Sequence, residues 1–154
     1  MKITLSFLLL LSTVGVFAQV NFSGAWKLNV DKSQFNETPG TPAAARLFVE
    51  QKEGTITFQR NDRPKETLKI DSPEDLEISE GENKTSVSMK SAEDKKGLIE
   101  TRTYSYPESE TAEVATKKVR TWSLSPDKKT LTIKDHIETT HGKMFDMVLV
   151  YDRQ

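Results

Sequence analysis

The sequence predicts an all-β domain, an antiparallel up-and-down barrel of about eight or nine strands with one short helix or loop after the first strand. Three observations carry that prediction. Apolar and polar residues alternate at period two along most of the chain, as half-buried strands require because successive side chains point to opposite faces. Turn-forming residues break the alternation at short intervals, so neighbouring strands should pair consecutively. Apolar residues make up only 35% of the 154, which suits a barrel whose lumen holds polar groups, water or ligand better than a sandwich filled with hydrocarbon. The β-sandwich remains the alternative, since alternation alone does not separate one closed sheet from two stacked ones. Closure has a further advantage: it removes the edges through which an open sheet aggregates.

The first 18 residues read as an export signal rather than as part of the fold. Lys2 supplies the positive end, Ile3 to Phe17 the apolar stretch, and Val16-Phe17-Ala18 a cleavage site before Gln19. About 15 apolar residues fall short of the roughly 20 that span a bilayer, and no basic cluster follows them. Cleavage would leave one mature domain, 19–154, of about 136 residues with net charge about −2 and no integral membrane segment. Such a balance argues against nucleic acid as a partner, which needs a basic face. The absence of cysteine excludes disulfides, thiolate metal sites and thiol nucleophiles, and for an exported chain it favours a bacterial periplasm or exterior.

Within the mature chain, Phe22, Gly24, Trp26, Leu28 and Val30 share one face of a first strand. Asp31 to Ala45 is the longest irregular stretch, and Thr41 with Pro42 could cap a short helix there. Leu47, Val49 and Gln51 mark the next strand, and Ile56 with Phe58 its partner across a Glu53-Gly54 hairpin that needs positive φ. Turn clusters at Asn61-Asp62-Arg63-Pro64 and Asp71-Ser72-Pro73 bracket Leu68 and Ile70. Val87/Met89, the run Leu98 to Tyr106, the run Lys117 to Leu124, Leu131/Ile133/Ile137 and Phe145 to Tyr151 complete the strands. Pro107 to Thr116 is polar and reads as a long loop or brief helix, while Ser125-Pro126-Asp127 starts a tight turn.

Phe22-Ser23-Gly24-Ala25-Trp26-Lys27-Leu28 has the form F-x-G-x-W-x-L and resembles the opening strand of the calycin barrels, the lipocalins and fatty-acid-binding proteins. With Asn29, Ser33 and Phe35, Trp122 to Asp127, Thr130 to Ile133 and Leu149 to Asp152, nearly the whole mature chain resembles exported bacterial lipocalin-like proteins of unassigned function. Those proteins usually carry glycine where this chain has Lys128. The resemblance implies a non-catalytic binding barrel for a small, largely apolar molecule, without a cofactor. It further implies that Gly24 and Trp26 close one barrel end, with Arg153 packed over the tryptophan.

A catalytic constellation is not evident. His136 and His141 are five apart, so on one strand they face opposite ways and cannot share a metal. No nucleophile elbow, phosphate loop or dinucleotide fingerprint occurs. The candidate site is instead the run Leu98 to Tyr106, whose even positions place Glu100, Arg102, Tyr104 and Tyr106 beside Leu98. Facing solvent, these residues form an ordinary exterior; facing the lumen, Arg102 and Tyr104 form a carboxylate-binding pair resembling the Arg-x-Tyr of fatty-acid-binding proteins. A buried guanidinium would then demand an internal partner, Glu100 or Asp135, or an anionic ligand. Asp135 interrupts the apolar stripe of Leu131, Ile133 and Ile137, so it either projects inward or marks a bulge. Phe58 and Trp122 are further candidates for ligand contact or core packing. The leading expectation is an exported binder of a small apolar or amphipathic molecule. A filled barrel acting through its outer loops is the alternative, and an enzyme working through Glu100 and Asp135 is a third reading.

Overall fold

The computed structural model describes residues 20–35, 43–109 and 112–154. The segment expected to act as an export signal, and Thr41 and Pro42, where a helix is expected to begin, lie outside them. Ten strands follow in chain order: β1 (Gly24–Leu28), β2 (Arg46–Lys52), β3 (Thr55–Arg60), β4 (Glu66–Lys69), β5 (Leu76–Glu80), β6 (Asn83–Ser91), β7 (Gly97–Ser109), β8 (Ala112–Leu124), β9 (Thr130–Thr139) and β10 (Met144–Arg153). No helix occurs among the described residues.

All ten belong to one antiparallel sheet in the order β4-β3-β2-β1-β10-β9-β8-β7-β6-β5. Because β1 pairs with both β2 and β10, the sheet curls into a nearly closed barrel, and the sandwich alternative is excluded. The remaining seam lies between β4 and the β5–β6 hairpin. There Ile70 bridges Met89, Asp71 N–H donates to Met89 O at 2.8 Å, and the Asp71 carboxylate accepts from Ser91 N–H and Oγ, each at 2.7 Å.

Period two places the core as expected. Trp26, Leu47, Val49, Ile56, Phe58, Leu68, Val87, Met89, Leu98, Trp122, Leu131, Ile133, Met147, Leu149 and Tyr151 are buried inside the barrel, with Phe22 beneath them. The β2–β3 turn has the anticipated positive φ, 47° at Glu53 and 75° at Gly54, which matches the twist of the flanking strands.

Three expectations need correction. First, β5 has no counterpart in the alternation pattern: Leu76 and Ile78 sit exposed among acidic residues on an edge strand, so no core face imposes a period. Second, Pro107 to Thr116 is neither loop nor helix at its ends, because β7 and β8, 13 residues each, form a long hairpin in which Pro107 opposes Glu113. Beyond Ser105 and Thr116 the two strands pair only with each other, not with β6 or β9. Third, Val30 does not continue the face shared by Trp26 and Leu28, since β1 stops at Leu28 and the chain turns across β10, leaving Val30 exposed.

The β8–β9 turn shows how the Lys128 position works. Lys128 adopts φ 58°, its N–H donates to Ser125 O at 2.9 Å, and its carbonyl accepts from Arg153 Nε at 2.8 Å. Left-handed backbone costs a residue with a Cβ, whereas glycine adopts it freely. Lys128→Gly is therefore expected to stabilise the protein by about 0.5–1 kcal/mol, the relief of strain being offset by the freer unfolded chain. A rise in the urea midpoint at unchanged m would register it.

Candidate ligand-binding cavity

The closed end of the barrel is built from aromatic rings. Trp26 Nε1–H donates to Phe22 O at 3.1 Å, and Gln51 holds this entering segment by accepting from Phe22 N–H and donating to Val20 O. Phe22 meets Trp122 edge-on with ring centres 6.2 Å apart, and Phe58 leans on Trp122 at 5.8 Å. Outside, the Arg153 guanidinium lies 4.4 Å from the Trp26 ring centre and donates to Ser23 O at 3.1 Å. Gly24, at φ 154°, leaves the room this requires: a Cβ there would stand 2.8 Å from Arg153 Nη1. Gly24, Trp26 and Arg153 thus come together in one cluster. Deleting Arg153 and Gln154 is expected to cost about 1–2 kcal/mol, the loss of a cation–π contact with its hydrogen bonds, and to lower the melting temperature.

Above the aromatic floor lies a layer of charge, each member two or four residues from a core side chain and on the same face. Arg60 follows Phe58, Glu66 precedes Leu68, Glu100 and Arg102 follow Leu98, Lys118 and Arg120 precede Trp122, and Asp135 follows Ile133. Glu100, 0% exposed, is the hub. Its carboxylate accepts from Arg60 Nη2 at 3.0 and 3.1 Å, from Arg102 Nε at 2.5 Å and from Arg120 Nη1 at 3.4 Å. Glu66 takes Arg60 Nη1 at 3.0 Å and also Arg102 Nη2, while Asp135 takes Arg120 Nε at 3.1 Å and Lys118 Nζ at 2.8 Å.

The electrostatics follow from this crowding. Burial alone would push the Glu100 carboxyl up, but Arg120, Arg60 and Arg102 together hold it well below the usual carboxylate range. Burial lowers the Lys118 ammonium, and the Arg120 charge lowers it further against the pull of Asp135. Arg60 is depressed likewise, by burial and by its cationic neighbours Arg120 and Arg102. Burial pushes the Tyr151 phenol up to about 12.

A cavity of about 510 Å³ opens above this layer. One wall, from β3, β4, β7 and β8, presents Arg60, Glu66, Arg102, Lys118 and Arg120; the facing wall, from β2, β9 and β10, is mostly apolar, with Leu47, Ile133, Ile137, Met147, Leu149 and Tyr151, and carries Asp135 of β9 among them. Phe35, Ala43, Ala44, Tyr104 and Thr116 surround the mouth. Phe35 reaches it because Asn29 and Ser33 fold the segment after β1 across β10: Ser33 Oγ donates to Asn29 O at 2.7 Å and accepts from Val150 N–H at 3.0 Å, and Gln34 exchanges two hydrogen bonds with Val148.

Of the candidates read from sequence, Arg102 (7% exposed) and Asp135 (2%) line the cavity, and the unbroken pairing of Asp135 with Arg120 rules out a bulge. Tyr104 stands at the mouth, 36% exposed, whereas Phe58 and Trp122 lie beneath the charged layer and are not among the lining residues. Arg102 is partnered by Glu100 and Glu66. Arg60, Glu66, Lys118 and Arg120 were missed, although each is in phase with an aromatic or leucine already assigned to the core. His136 is on the outer face, 2.7 Å from Asp146. Comparison of the chain with family models, curated proteins and solved structures finds no match.

Proposed function

We propose that the chain is an exported, lipocalin-like binding protein that holds a small apolar or amphipathic molecule inside its barrel. The observation that carries this reading is the open cavity of about 510 Å³ with one largely apolar and one charged wall, within the range of ligand pockets and unlike a lumen filled by side chains. The F-x-G-x-W-x-L strand, with Arg153 over Trp26, supports kinship with the exported lipocalin-like proteins. The state of Glu100 supports binding over catalysis: a carboxylate held ionised by three guanidinium groups serves as a counter-ion and is poorly suited to donate or accept protons near neutrality. Native mass spectrometry of gently purified protein, with and without added amphipathic molecules, tests the reading. A stoichiometric adduct is expected. An empty barrel that also fails to take up anilinonaphthalene sulfonate would overturn it.

A further inference from the structure

The charged layer is unbalanced. Among the described residues, Arg60, Arg102, Lys118 and Arg120 face only Glu66, Glu100 and Asp135, which leaves one positive charge in excess at the inner end of the cavity. Arg63 stands at the lip and adds to the same sign. Donors are in surplus as well: Arg102 Nη1 and Arg120 Nη2 have no acceptor among the described residues, while the Glu100 carboxylate is engaged by all three arginines. Guanidinium groups desolvated beside an apolar wall bind planar or tetrahedral oxyanions well, because such anions match both the charge and the fork of N–H donors.

The order of layers adds a direction. From the closed end outward come the aromatic floor, the charged layer and then a mouth bearing Phe35, Ala43 and Tyr104. The geometry points to an amphipathic anion that enters acid group first: its carboxylate, phosphate or sulfate lies against Arg102 and Arg120, and its apolar part rests on Ile133, Met147 and Leu149 and leads out past Phe35 and Tyr104. This rests on the binding-barrel reading above and specifies the chemistry of the occupant.

Calorimetric titration of the purified protein with decanoate, decyl phosphate, decyl sulfate, decan-1-ol and decyltrimethylammonium, all below micelle formation, tests it. The anions are expected to bind at least tenfold more tightly than the alcohol, the cation weakest of all, and added salt should narrow the gap. Decanoate in the lead would assign a carboxylate, and either ester in the lead a tetrahedral oxyanion. Lys118→Met, which removes the surplus charge while Arg120 still neutralises Asp135, is expected to shrink the preference for anions over decan-1-ol. Equal or tighter binding of the alcohol or the cation would overturn the assignment while leaving the binding barrel standing. If no member of the series binds, the binding-barrel reading fails with it.

Discussion

Glu100→Gln is expected to destabilise the protein by about 3–5 kcal/mol, because it leaves three guanidinium groups facing one another in a desolvated layer without their central counter-ion. The substitution keeps the size of the side chain and one acceptor oxygen, so the loss reports charge rather than packing. Chemical unfolding at neutral pH would measure it, and the double variant Glu100→Gln/Arg60→Met should recover part of the loss by removing one of the stranded cations. A cost under about 1 kcal/mol, the scale of an exposed ion pair, would contradict the burial on which the argument stands. The pH dependence has a definite sign. Glu100 is held below its usual value of 4.5 in the folded protein, so on acidification the unfolded chain takes up its proton first. The contribution of Glu100 is complete at neutral pH and declines as pH falls through the 4s and below. The stability difference between wild type and Glu100→Gln should therefore shrink on acidification.

Trp26→Ala is expected to cost a similar amount, about 3–5 kcal/mol, for a different reason. The ring is almost wholly buried, its N–H is satisfied by Phe22 O, and Arg153 lies over it. Removing it opens a cavity at the closed end, leaves the Phe22 carbonyl without its donor and deprives Arg153 of its stacking partner. Trp26→Phe should cost less, since a ring face remains. In a double-mutant cycle, Trp26→Ala and Arg153→Met should couple by about 0.5–2 kcal/mol. Strict additivity would remove the cation–π contact from the account.

Most of the architecture was legible because a barrel imposes one rule, inward and outward in turn, and residues such as Leu47/Val49 and Ile133 obey it. The strand that escaped, β5, is the one the rule does not govern: at the edge of the sheet neither face of Leu76–Glu80 is buried. The same rule contained the candidate site. Extending the phase of Phe58 by two gives Arg60, and extending that of Trp122 gives Arg120 and then Lys118. Polarity hid them, since a charge at a core position is more readily taken for the end of a strand than for a member of the lumen. Glu100 and Asp135 were named as partners for Arg102. Asp135 in fact pairs with Arg120 and Lys118, a connection fixed by strand register, which alternation within a single strand does not reveal.

The pairing of β1 with β10 also has a bearing on how the protein reaches this state. Ser23 and Arg153, 130 residues apart, meet there, whereas β2–β3, β6–β7, β7–β8 and β9–β10 each join across a short turn. Hairpins form from neighbours in the chain; the ring does not close until its two distant ends meet, with the loop entropy of nearly the whole chain against it. Contacts between such distant residues are expected to form late, on the native side of the folding barrier. Loosening Arg153 should accordingly hasten unfolding and leave the rate of folding almost untouched. The clasp at Trp26 thus governs how long the finished barrel lasts, while the local hairpins govern how quickly it is made.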